Sequence, residues 1–205
     1  ETYPEAELPE GASLEEMTME TYGPLKVLCE KVVENVFPEG YINIRSGLII
    51  GPNDPSDRFT YWVNRIYKGG RVLCPGDGST PVQFIDVRDL AKWSVRMAIE
   101  GESGLYNGTG PDYVLTMRNF LETCQKICNP DDELVWVDEK FIEENEITPW
   151  AEMPAWAPDS GKEFHGLGKI NISKALDQGL TFTELESTIF DTLEWDKSRT
   201  EMAEL

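Results

Sequence analysis

Apolar positions along the chain follow two different spacings. From about residue 19, Leu25, Leu28, Cys29, Val32, Val33, Val36 and Phe37 recur at steps of three and four, the stripe of an amphipathic helix that Pro38 ends. Pro24 fits this helix in its first turn, where a missing N–H leaves no carbonyl unpaired. Residues 41–50 (YINIRSGLII) are β-rich and almost continuously apolar, as expected of a strand buried on both faces. A loop of Gly51, Pro52, Asn53, Asp54 and Pro55 follows. The pattern then predicts a helix over 58–68, strands over 71–74 and 82–86 around a glycine-rich turn, and a helix over 87–99. Leu90, Ala91, Ser94 and Ala98 form the inward face of that last helix. Strand-like residues 105–107 precede a second clean stripe of Met117, Phe120, Leu121, Cys124, Ile127 and Cys128. A strand over 134–137, an acidic helix over 139–145, an irregular stretch over 148–168 and helices over 172–178 and 184–195 complete the chain. Strands alternating with helices indicate an α/β fold with a parallel sheet.

Composition narrows the class. With 205 residues and 40% hydrophobic content the chain is long enough to bury a real core. Lys+Arg 18 against Asp+Glu 38 gives a net charge of −20, which repels phosphate backbones and anionic lipids. Nucleic-acid and membrane partners are therefore not expected. No apolar run reaches transmembrane length and no basic-then-apolar segment opens the chain, so a cytoplasmic location is expected. Residue 1 is Glu and the first methionine is Met17, as expected if a leader was removed or if this is a piece of a longer product. Cys29, Cys74, Cys124 and Cys128 fall within apolar patterns, and no clustered histidine completes a ligand set. They are expected to be core thiols, with no metal site. His165, the single histidine, stands in a glycine loop and receives no role.

The candidate chemistry begins with Tyr22 and Lys26. Four residues apart on a helix, they share one face. An ammonium beside a phenol favours the ionised phenol and makes a hydroxyl usable as an acid or base near neutral pH. The spacing alone is a weak signal, and an exposed helix face is its common meaning. The ordered motifs downstream of the pair are more specific. A strand carries Arg45–Ser–Gly–Leu–Ile–Ile–Gly51–Pro52. A glycine-rich turn leads to Gln83–Phe–Ile–Asp86–Val–Arg–Asp89–Leu90–Ala91, and Tyr106–Asn107 comes after a helix. This series resembles the C-terminal half of an extended short-chain dehydrogenase/reductase of the NAD-dependent epimerase/dehydratase family. The similarity is nearest to members called isoflavone-reductase-like or epimerase-like, and it spans roughly residues 20–195.

The resemblance implies the C-terminal portion of a Rossmann-like doubly wound parallel sheet, with a smaller mixed α/β substrate-binding part. The N-terminal βαβ dinucleotide-binding half is expected to be absent, because no Gly-x-x-Gly-x-x-Gly unit occurs. Residues 1–18 would be an irregular lead-in. Residues 19–110 would be the remaining Rossmann-like part interleaved with substrate segments, 111–197 mainly the substrate-binding part, and 198–205 a tail. By the family's chemistry a hydride moves between NAD or NADP and a small hydroxyl- or keto-bearing, sugar-like substrate. Tyr22 gives or takes the proton and Lys26 orients the nicotinamide ribose. Ser46, Gly47 and Leu48 would approach the cofactor, while Asn53, Arg58 and Gln83 would face substrate. Arg58 also reads as a surface or ion-paired arginine, and Asp86 and Asp89 as caps of the 87–99 helix. Ser46 stands where the family has proline, Arg88 replaces an aspartate, and the family's catalytic Ser/Thr would precede Glu1. These 205 residues alone are therefore expected to be inactive and not to hold a dinucleotide. A homo-oligomer or the N-terminal half is the expected protein partner. The alternative is a non-catalytic relative that senses NAD(P) or binds proteins through the same fold.

Overall fold

The computed structural model describes residues 9, 17–158, 166 and 168–199. Most of the 1–18 lead-in, His165 and the tail from residue 200 lie outside them. Helix α1 (Met19–Val36) starts at a reciprocal cap: Thr18 accepts from the Thr21 N–H, and the Thr21 hydroxyl accepts from the Thr18 N–H. This cap starts the helix early enough to put Pro24 in the second turn, not the first. The ring therefore removes one hydrogen bond from within the helix.

The apolar run over 41–50 is not one strand. It divides at Gly47 into β1 (Ile42–Ser46) and β2 (Leu48–Ile50), which join different sheets. β1 pairs in parallel with β5 (Gly104–Gly108), and β2 in parallel with β4 (Phe84–Asp86). A third parallel pair joins β3 (Arg71–Pro75) to β6 (Glu133–Val137). Glycine is required at the break, since a Cβ on Gly47 would lie 2.1 Å from the Thr109 hydroxyl oxygen. Of the ten residues only Ile50 is buried; β1 is half-buried to exposed, with β5 along one edge alone.

Two cores form. The larger gathers α2 (Thr60–Tyr67), α4 (Met117–Cys128) and α7 (Leu185–Ser198) over β2, β3 and β4, around stacked Phe59 and Phe120 with ring centroids 4.9 Å apart. The second packs Ile85, Trp93, Met97, Tyr106, Ala175 and Leu180 between α3 (Val87–Glu100), β5 and α6 (Ser173–Asp177). Within α3, Trp93 and Met97 carry the burial, whereas the small Ala91 and Ala98 are exposed, correcting the inward face read from the sequence. Large side chains reach the core where an alanine on a neighbouring angle does not. Asp86 caps α3 as expected and is buried between the cores, with Arg88 and the Thr188 hydroxyl on its carboxylate. The acidic α5 (Glu139–Glu144) covers the large core with Ile142. No helix among the described residues is long and apolar enough to cross a membrane.

Candidate functional site at the strand ends

Parallel α/β sheets place ligands beyond the C-terminal ends of their strands. α1 is tied along β1 by three polar contacts. The Tyr41 hydroxyl donates to Glu34 (3.1 Å), Asn43 to the Glu30 carbonyl (3.3 Å), and Arg45 pairs with the Glu30 carboxylate (2.6 Å). Progress from Tyr41 to Arg45 thus matches retreat from Glu34 to Glu30, so helix and strand run antiparallel. The start of α1 therefore reaches past the C-terminal end of β1. At 1.5 Å per residue, Lys26 and Tyr22 lie about 6 and 12 Å beyond Glu30 along the axis. Residues 46–48 extend beyond Arg45 in the same direction. Lys26 Nζ lies 5.7 Å from the centre of the Tyr22 ring, and Tyr22 is half exposed.

Two cavities open at this end of the sheet. One, of about 450 Å³, is lined by Gly47, Leu48, Asn53, Asp54 and Arg58 together with the rest of the β2 loop. The other, of about 80 Å³, is lined by Gly47, Leu48, Gln83, Thr109, Trp150 and Ala155 among others. They share Gly47 and Leu48, and Arg58 in the first lies over the Trp150 ring in the second, 5.8 Å from its centre. Five expected site residues thus gather here: Gly47, Leu48, Asn53, Arg58 and Gln83. Ser46, Tyr22 and Lys26 do not line either cavity. Gln83 clamps the chain, its amide donating to the Ile170 carbonyl (3.1 Å) and accepting from the Ile170 N–H (2.8 Å).

Backbone conformation marks the same place. Of the five non-glycine residues with positive φ among the described residues, Asn53, Trp150 and Ala155 line these cavities and Asp57 adjoins Arg58. Left-handed backbone is tolerated by Asn and Asp but unfavourable for Trp and Ala, and it collects at ligand sites. Trp150 is held by its N–H to the Trp156 carbonyl (3.0 Å), and Trp62 anchors the same segment through the Pro154 carbonyl (2.7 Å). Trp156 is buried as packing, so this irregular stretch both fills the core and walls the cleft. Thr109 is 1% exposed and its hydroxyl oxygen has no partner among the described residues. The sequence pattern singles out neither Thr109 nor Trp150, because neither belongs to a periodic stripe.

The described residues do not supply a dinucleotide cradle. Among them no helix start combines a glycine loop with free N–H groups at a strand end. The one helix that directly follows a strand, α3, has its first N–H groups capped by the Asp86 carboxylate, which would repel a pyrophosphate.

Among solved structures, the chain is similar to the UDP-N-acetylglucosamine 4-epimerase of Methanobrevibacter ruminantium M1. The TM-score is 0.64 and identity 19%, over 96% of this chain and 59% of that one. The UDP-glucose 4-epimerase of Thermotoga maritima, solved with UDP-glucose, gives 0.61 and 19%, over 86% and 53%. RMD of Pseudomonas aeruginosa, complexed with NADPH, gives 0.57 and 17%, over 86% and 54%. The chain thus spans little more than half the length of these proteins, which share its fold. No curated protein matches it in sequence. The profile of the NAD dependent epimerase/dehydratase family matches residues 1–109, more than half of the chain. By that match, and with parallel strand pairs of a Rossmann-like fold beneath its strand-end cleft, the chain belongs to the NAD dependent epimerase/dehydratase family.

Proposed function

We propose that these residues serve an NAD(P)-dependent oxidoreductase, epimerase or dehydratase, acting on a small hydroxyl- or keto-bearing substrate such as a sugar. The reading concerns a longer protein. The 205 residues alone contribute one wall of the cofactor site and are inactive without the rest. Tyr22 gives or takes the substrate hydroxyl proton, and Lys26 steadies the phenol and the ribose beside it. The backbone of residues 46–48 borders the nicotinamide, which supplies the hydride chemistry when bound. The observation that carries the reading is the antiparallel packing of α1 on β1, which brings the Tyr22 and Lys26 end of the helix to the cleft end of the sheet. A second copy or an N-terminal half would cover the apolar side of α1.

The test is Tyr22→Phe in the longer protein, with turnover and NAD(H) binding measured separately. Loss of a general acid–base lowers turnover by about 10²- to 10⁴-fold, with cofactor affinity retained. Undiminished turnover would remove Tyr22 from the chemistry.

A further inference from the structure

The loop that walls the larger cavity is short and tied to itself. Residues 53–56 line that cavity together with Arg58. Asp54 Oδ1 accepts from the Ser56 N–H (2.8 Å) and hydroxyl (2.7 Å), and the Asp54 N–H donates to the Gly51 carbonyl (3.2 Å). Asn53 (φ 69°) and Asp57 (φ 54°) stand in left-handed backbone at its two ends. Residues other than glycine hold that conformation where the surrounding contacts impose it.

At Asp57 the imposing contact comes from 142 positions further along the chain. Arg199, which closes α7, donates from Nη2 to Asp57 Oδ2 (2.9 Å), and its Nη1 lies 2.9 Å from Oδ1. The same guanidinium donates from Nε to Asp196 Oδ1 (2.6 Å), and its face lies 4.7 Å from the centre of the Trp195 ring. Asn64 of α2 donates to the other oxygen of Asp196. The Asp57 carbonyl accepts from the Tyr61 N–H (2.7 Å), so the loop, α2 and α7 meet at Asp57. The Asp57 and Asp196 side chains are only 4% and 2% exposed. Two carboxylates out of water need the cation between them. A planar fork can grip one across both oxygens while serving the other, which a single ammonium cannot do.

We propose that Arg199 and Asp57 are positioning residues of the cleft: their buried bridge latches the 53–57 wall to the end of α7 and so fixes the cavity's width and the place of Arg58 over Trp150. Neither residue lines the cavity itself. The proposal rests on reading the cleft as a substrate site, and it adds that the fit of substrate there is governed from α7.

The experiment is hydrogen–deuterium exchange with mass spectrometry on the 205-residue chain, with urea unfolding of each variant beside it. Asp57→Asn keeps a residue that tolerates left-handed backbone and removes the charge that Arg199 grips. It speeds exchange over residues 53–58 at least tenfold and leaves residues 117–128 of α4 unchanged. Arg199→Lys keeps a cation between the two carboxylates, so stability in urea stays near that of the wild type, while the 53–58 exchange rises as in Asp57→Asn. The double variant exchanges no faster there than either single one, because both break the same bridge. Unchanged exchange over 53–58 in Asp57→Asn overturns the proposal. So does an equal rise over 117–128, which would make the bridge a support of the whole fold, and so does full protection in Arg199→Lys, which would make it charge compensation alone. The readout needs neither nicotinamide nor turnover. A failed Tyr22→Phe test therefore leaves the latch standing, and a missing latch leaves the Tyr22 chemistry untouched.

Discussion

Helices α1 and α4 carry much the same pattern and meet opposite fates. In α4 the stripe of Met117, Phe120, Leu121 and Cys124 is buried, with α2 and α7 packed against it. In α1 the stripe of Leu28, Val32, Val33, Val36 and Phe37 is 37–61% exposed. Its polar contacts along β1 come instead from Glu30 and Glu34, at 100° per residue roughly 130° round the helix from the stripe. Periodicity declares which face of a helix seeks cover. It does not say whether the cover lies within the same 205 residues. One face of α1 lies along β1 while the other stands open beside a strand with one unpaired edge among the described residues, an arrangement that favours association.

The contrast can be broken by mutation. Phe120→Ala empties the stacked aromatic centre and should cost about 3–5 kcal/mol, whereas Phe37→Ala, 61% exposed, should stay within about 0.5 kcal/mol. Urea unfolding of the two variants measures both; a large loss at Phe37 would mean that α1 is already covered in solution.

A smaller effect is expected where the cores meet. Burial pushes the Asp86 carboxyl up, but the Arg88 side chain, the Arg88 N–H and the Thr188 hydroxyl together outweigh it and hold the group below its ordinary value. A depressed folded value means the stabilisation is full well above the unfolded value of about 3.9 and is lost as pH falls through the folded one. Asp86→Asn should therefore destabilise by about 1–3 kcal/mol at pH 7, with the gap to wild type closing as pH is lowered toward 3. A gap independent of pH would show that the charge is not what joins the cores.

The least perturbing test changes no residue. Cys29 on α1 is exposed, while Cys74 and Cys124 are buried, the first pushed up to about 12 and the second well above the ordinary thiol range by desolvation. A thiol reagent at pH 8, followed by mass spectrometry, should label Cys29 quickly, and Cys74 and Cys124 only in denaturant. Protection of Cys29 in a longer protein, with labelling in the 205-residue chain, would locate the cover of α1 in the added sequence.

Much of the fold was legible in the order of residues. The helices at 87–99 and 117–128 follow from stripe and cap, and the family series from Tyr22 to Asn107 led to the right half of the right fold. Cys29 was misread as a core thiol, because lying within an apolar stripe implies burial only when the stripe is covered. The 41–50 strand was misread as continuous, because the break depends on Thr109, sixty-two residues beyond Gly47, needing the space of a side chain. Of the candidate site, Gly47, Leu48, Asn53 and Arg58 were named from motif position. Trp150 was not legible as part of it, since nothing local shows that an irregular stretch folds back over the residue 58 loop.

Sequence by itself determined the local structure and the family: spacing, caps and turn residues act over a few positions, and ordered motifs are linear. Only tertiary structure decided which apolar faces are covered, that Gly47 divides one run between two sheets, and that Arg58 lies over the Trp150 ring. Those facts depend on contacts between residues tens of positions apart. The Tyr22 and Lys26 pair belongs to both accounts, since its spacing is written in the chain but its position at the cleft end follows from how α1 lies against β1.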